Sequence, residues 1–173
     1  ALFGKPRAEG IREPLLAIAR IVQAAGGRVL FEDATAEHLG LNEFDPHTVH
    51  AIGKKADVAV VLGGDGTMLG VARELAPFGI PLIGINHGRL GFMTDISLDQ
   101  MGDALSAMLG GRFETDRRIV LDAEVRRAGK VAYHAMAVND VVISRGVTGG
   151  MVEYTVRVDG VTMYNQRADG VIL

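Results

Sequence analysis

At 173 residues, 48% of them hydrophobic, the chain is long enough for one substantial core or two small domains. Its 18 basic against 21 acidic side chains leave a formal charge of −3, which excludes the basic field of a nucleic-acid or anionic-membrane binder. With no cysteine, disulfides and thiolate metal sites are excluded; with no apolar run of about 18 residues either, the expectation is a cytoplasmic protein without nucleic-acid or membrane partners.

Ala1-Leu2-Phe3-Gly4 reads as the tail of a strand and Val171-Ile172-Leu173 as a strand cut in its middle, so a longer protein is expected. Glu13-Pro14 predicts a helix start with proline at a tolerated first position, and Leu15, Leu16, Ile18, Ala19, Ile21 and Val22 form its apolar stripe. Gly26-Gly27 stops it, and residues 28–31 predict a second strand, so strand, helix and strand make a right-handed parallel unit. Residues 32–55 are polar and weakly patterned. Asp45-Pro46 is the expected cap of a short helix through Val49 and Ile52, and the remainder reads as a variable connection.

The stretch Val58-Ala59-Val60-Val61-Leu62 is too short for a helix and bounded by glycine, as the buried strands of parallel sheets are. Gly63, Gly64 and Gly66 end it, permit positive φ and let a ligand reach the main chain. Met68, Leu69, Val71, Ala72 and Leu75 then recur at helical spacing, so the turn opens a helix whose N–H groups and dipole suit phosphate. Asp65 among these groups either caps the helix or has a chemical task, such as taking a proton from an attacking hydroxyl or helping to hold Mg²⁺. The Gly-Lys-Ser/Thr of the Walker pattern is missing, and Leu69 stands where the dinucleotide fingerprint has its third glycine.

After Pro77-Phe78-Gly79 comes another strand, 82–85, and directly behind it the loop Asn86-His87-Gly88-Arg89-Leu90-Gly91-Phe92-Met93-Thr94-Asp95. In open α/β sheets such carboxyl ends are where ligands bind. Ser97-x-x-Gln100 reads as a capping box for a helix faced by Met101, Ala104, Leu105, Met108 and Leu109, ended by Gly110-Gly111. From Arg118 the period becomes that of strands, at 119–125, 131–138, 141–144, 151–158 and 161–164, with Arg127-Ala128-Gly129 and Asp159-Gly160 as turns. The expected fold is a Rossmann-like parallel α/β domain, 1–111, followed by a mostly antiparallel β domain, 112–173, left incomplete with an open edge.

Asn139-Asp140 is either a turn or a polar pair that serves a ligand's hydroxyls or amide. Arg167 and Asp169 either pair with each other on the surface or face a charged ligand. None of His38, His47, His50, His87 and His134 has the spacing of a nucleophile or metal pattern, although the loop of His87 borders the proposed site. No dedicated metal site is expected.

Together these segments resemble the bacterial NAD kinase family. Gly63-Gly64-Asp65-Gly66-Thr67 matches its GGDGT motif, Asn86-x-Gly88-x-Leu90-Gly91-Phe92 its following loop, Asn139-Asp140-Val141-Val142-Ile143 its N-D/E motif, and Arg167-x-Asp169-Gly170 the segment before its glycine, serine and threonine-rich stretch. The resemblance implies transfer of the ATP γ-phosphate to the adenosine ribose 2′-hydroxyl of NAD. It implies that Asp65 accepts the hydroxyl proton, that Gly66, Phe92, Asn139, Asp140, Arg167 and Asp169 join Asp65 in binding NAD, and that Gly63, Gly64, Gly66 and Thr67 serve the ATP phosphates. Mg²⁺ or another divalent cation would arrive with ATP, and a homodimer or homotetramer is implied. Gly150 falls where some relatives carry a basic or His side chain, so only main-chain contact is expected there. The family's Thr-Gly-Ser-Thr-Ala-Tyr segment is not present. A lipid or sugar kinase sharing GGDGT is the enzymatic alternative, and a nucleotide-binding module without catalysis is the alternative of another class.

Overall fold

The computed structural model describes residues 1–173 except 6, 42, 43, 89, 90, 147 and 148. Arg89, Leu90, Val147 and Thr148, which belong to two of the loops singled out above, lie outside the described residues. The chain divides into two compact units, Ala1–Arg118 and Ile119–Leu173.

The first unit is an α/β sandwich around a five-stranded parallel sheet. Its strands are β1 (Leu2–Gly4), β2 (Phe31–Glu32), β3 (Pro46–His47), β4 (Ala59–Gly63) and β5 (Leu82–Asn86), in the order β3-β2-β1-β4-β5. Every residue of β4 is buried. The alternation of a strand explains why the run must be apolar throughout: Val60 and Leu62 face one core with Leu2, Leu15, Ile18, Phe31 and Leu105, while Ala59 and Val61 face the other with Phe3, Ile52, Met68 and Leu75. Helices α1 (Arg12–Ala24) and α5 (Met101–Leu109) pack together over the first core. Helices α3 (Val49–Lys55) and α4 (Asp65–Leu75) pack together over the second. None of the helices is long and apolar enough to cross a membrane, among the described residues.

Several local expectations are corrected. Helix α1 starts at Arg12, so Pro14 is its third residue, still within the first turn where no intrahelical N–H is needed. The second strand is Phe31–Glu32 rather than 28–31. The segment expected to be a variable connection contains helix α2 (Asp33–Leu39) and the edge strand β3. Glu32 caps α2, accepting the Ala34 and Thr35 N–H groups, and Thr48, not Asp45-Pro46, caps α3 by accepting from Ala51 at 3.2 Å. Ser97 and Gln100 form no capping box: their side chains bond each other at 2.8 Å ahead of α5, which has no side-chain cap.

The second unit consists of antiparallel pairs: β6 (Leu121–Arg127) with β7 (Lys130–Ala137), β8 (Val142–Ser144) with β11 (Gly170–Ile172), and β9 (Val152–Val158) with β10 (Val161–Ala168). Both predicted hairpin turns form. Ala128 and Gly129, like Asp159 and Gly160, have positive φ, the geometry whose twist matches a two-residue hairpin.

Candidate functional site

The sheet order reverses between β1 and β4, the switch point at which an open α/β sheet leaves a crevice at its carboxyl end. A cleft of about 590 Å³ lies there, with Gly4, Lys5, Thr35, Gly64, Gly66 and Thr67 among its lining residues. The ends of β1 and β2 are tied together beneath it: the Gly4 N–H donates to Thr35 Oγ1 at 3.0 Å, and Thr35 Oγ1 donates to Glu32 Oε2 at 2.6 Å.

The glycine turn joins β4 to α4 without using the positive φ that glycine permits. None of Gly63, Gly64 and Gly66 adopts it, and Gly64 is extended at φ −113°. Their reasons differ. A Cβ on Gly63 would lie 2.7 Å from Thr67 Oγ1, so this glycine is required by packing, whereas a Cβ on Gly64 or Gly66 would meet open space and only these two leave the main chain approachable from the cleft. The Thr67 and Met68 N–H groups bond the Gly64 carbonyl at 2.9 and 3.1 Å, which closes the first turn of α4.

Asp65 is the first residue of α4 and does not cap its own helix. Its carboxylate reaches across to the loop behind β5. Oδ2 accepts the Phe92 N–H at 2.8 Å, and Oδ1 accepts the Met93 N–H at 3.0 Å, the Thr94 N–H at 3.1 Å and the Thr94 hydroxyl at 3.1 Å. These donors hold the carboxyl below its ordinary value, Phe92 and Met93 N–H first, against a smaller opposing effect of desolvation. Asp65 is therefore ionised at neutral pH.

The loop is built to meet it. It leaves β5 at Asn86 and returns at Ile96, where the Asn86 N–H bonds the Ile96 carbonyl at 2.7 Å, while the His87 N–H bonds the Gly63 carbonyl at 2.9 Å. Gly91 is packed against the Asp65 carboxylate with no room for a Cβ, and a Cβ on Gly84 would stand 2.6 Å from the Met93 carbonyl. The loop is thus wedged between β5 and Asp65 by two glycines. The Phe92 side chain projects from it 96% exposed.

In the second unit, Asn139 and Asp140 are exposed between β7 and β8 and hydrogen-bond each other. Asp169 bonds to Arg145 rather than to Arg167: its carboxylate is 3.5 Å from Arg145 Nε and its carbonyl accepts the Arg145 N–H at 3.1 Å. Arg145 also donates to the Gly150 carbonyl at 2.7 Å. Arg167 is exposed on β10, opposite Glu153 on β9.

Sequence reasoning singled out neither Lys5, Thr35 and Thr94 nor the central place of Arg145. Lys5 directly follows a strand at the sheet's carboxyl end, a position that could have drawn attention. Thr35 was hidden in the stretch read as a connection, and Thr94 acquires its meaning only from Asp65, 29 residues away.

Residues 1–113 match the model of the ATP-NAD kinase N-terminal domain. Over all 173 residues the chain is 51% identical to the NAD kinases of Paraburkholderia phytofirmans and Burkholderia multivorans and 50% identical to that of Bordetella avium. It spans 58% of the length of each. The fold resembles the crystal structure of yeast NADH kinase complexed with NADH, with a TM-score of 0.86 at 21% identity, over 99% of this chain and 55% of that one.

Proposed function

The chain belongs to the ATP-NAD kinase family, and from that membership we propose that the protein transfers the γ-phosphate of ATP to the 2′-hydroxyl of the adenosine ribose of NAD. One observation carries the reading: an ionised carboxylate, Asp65, is fixed between the two open glycines that line the switch-point cleft. A carboxylate beside bound phosphate repels it unless it has work to do, and an alcohol acceptor supplies that work because its proton must leave as the O–P bond forms.

On this reading the phosphates of ATP lie against Gly64, Gly66 and Thr67, where the N-terminus of α4 offers N–H groups and the positive end of its dipole, and Gly63 serves them from behind by its packing against Thr67. Lys5, on the same cleft, adds a cation suited to phosphate oxygens. Asp65 and Gly66 face the acceptor, and Asp65 takes the 2′-hydroxyl proton late in the transfer, a contribution of roughly 10²- to 10⁴-fold. The divalent cation, Mg²⁺ or another, arrives with ATP and neutralises phosphate charge. Asp65 already accepts four hydrogen bonds, which suits a held proton acceptor better than a cation ligand.

Phe92, Asn139, Asp140, Arg167 and Asp169 are assigned to NAD, on the strength of the family's motifs. Phe92 offers an uncovered ring, and Asn139 and Asp140 present exposed amide and carboxylate groups. A cytoplasmic homodimer or homotetramer is part of the same proposal. The full-length protein should form NADP from NAD and Mg-ATP, read through an NADP-specific dehydrogenase, and absence of product from the folded protein would refute the reading.

A further inference from the structure

Asp65 does not stand alone in its grip. The carboxylate of an ionised aspartate only accepts hydrogen bonds, so the Thr94 hydroxyl must donate to Oδ1 at 3.1 Å. That hydroxyl must then accept its remaining bond, and Asn86 Nδ2 supplies it at 3.0 Å. The chain Asn86 Nδ2–H to Thr94 Oγ1–H to Asp65 Oδ1 has one self-consistent direction, which also fixes the orientation of the Asn86 amide. Thr94 is fully buried and Asn86 is 4% exposed, so neither hydroxyl nor amide is free to turn toward water.

The two carboxylate oxygens are consequently unequal. Oδ1 takes three donors and has no acceptor direction left, whereas among the described residues Oδ2 takes only the Phe92 N–H and keeps one direction. We propose that Thr94, backed by Asn86, is a positioning residue that locks Oδ1 so that Oδ2 is the oxygen presented to the acceptor hydroxyl. The inference rests on Asp65 being the proton acceptor. In the transfer, the acceptor O–H bond breaks as its oxygen bonds the γ-phosphorus, the bond from that phosphorus to the bridging oxygen breaks, ADP leaves with that electron pair, and the proton goes to Oδ2.

The groups that set the Asp65 titration are the Phe92, Met93 and Thr94 N–H groups and the Thr94 hydroxyl; no charged group among the described residues contributes to it. Among the described residues the titratable side chains of the same loop are His87 and Asp95, and neither is a cause of that shift. Removal of the Thr94 hydroxyl should therefore raise the Asp65 titration and free the carboxylate to rotate.

The test uses the full-length enzyme and the variants Thr94→Val, Thr94→Ser and Asp65→Asn, with Thr94→Ala in place of the valine should that fail to fold. Thr94→Val should lower kcat by about tenfold with little change in KM for NAD or ATP, as expected when a reacting group loses its orientation. Its Asp65 carboxyl, assigned by ¹³C NMR through the signal missing from Asp65→Asn, should titrate higher than in the parent, and Thr94→Ser should restore kcat and titration together. A parental kcat in Thr94→Val, whatever its titration, would overturn the inference. So would a fallen kcat with an unmoved titration or without rescue by serine, which mark a structural role. Parental turnover by Asp65→Asn would instead remove the proton-acceptor reading and this inference with it, whereas an inactive Asp65→Asn beside an unaffected Thr94→Val would remove this inference alone.

Discussion

Asp65 and Phe92, 27 residues apart in the chain, are joined by a 2.8 Å hydrogen bond from the Phe92 N–H to Asp65 Oδ2. The carboxylate at the start of α4 is in effect a clamp for the loop behind β5, and the loop in return holds the carboxylate ionised and aimed. Site and scaffold share the same four hydrogen bonds.

The first consequence is a pH dependence. The carboxyl of Asp65 is lowered from 3.8 in the folded protein, so its contribution to stability is present above that ordinary value and is lost as pH falls through the lower folded value. Loop protection against amide exchange at residues 91–94 should decline as pH falls below about 3.8, and the decline should be absent from Asp65→Asn, whose loop is already loose at neutral pH.

Gly91→Ala should be damaging for a reason unconnected with φ, because the added methyl would occupy the space of the Asp65 carboxylate. A loss of about 1–3 kcal/mol in denaturant melts is expected from such overpacking, with turnover falling as Asp65 is displaced. An unchanged melt and rate would contradict the packing described.

The two kinds of glycine in the turn should separate by measurement. Gly63→Ala drives a methyl into Thr67 and should lower stability, whereas Gly66→Ala projects into open space and should leave the melt nearly unchanged while raising KM for ATP. Equal melts for both variants would show that the close approach of Thr67 to Gly63 carries no weight.

In the second unit, Arg145→Ala removes the bond to the Gly150 carbonyl and the contact with Asp169. Asp169 is largely exposed, which weakens its contact with the half-buried Arg145, so a loss of about 0.5–1 kcal/mol is expected. If Asp169 contacts NAD, KM for NAD should rise more than that small loss accounts for, which steady-state kinetics on the full-length variant would show.

The parts of this architecture legible in the sequence are those with a local cause. The five apolar residues of 58–62 require burial on both faces, and Asp159-Gly160 requires the left-handed conformations of a hairpin turn. Helix α2 and strand β3 were not legible: α2 buries only Thr35 and Ala36, and a two-residue strand has no period to detect. Ser97-x-x-Gln100 had the spacing of a capping box, yet the two side chains satisfied each other and left the helix uncapped. At the site, the glycine turn and its carboxylate were visible as an oddity of charge. What Asp65 does in the fold was not, because its partners come from a loop one strand further along the sheet, and the Asp169 to Arg145 pairing is likewise a product of strands β8 and β11 lying side by side.

The central claim is that a carboxylate at a phosphate-binding turn serves an alcohol acceptor, and that the acceptor is NAD. The most direct measurement is the fate of the label from γ-³²P-ATP when the full-length protein and its Asp65→Asn variant are offered NAD, diacylglycerol and a panel of sugars. Label on the adenosine ribose 2′-oxygen of NAD, abolished in the folded variant, is the predicted result. Label on a lipid or sugar and not on NAD, or NAD binding with no transfer at all, would contradict it.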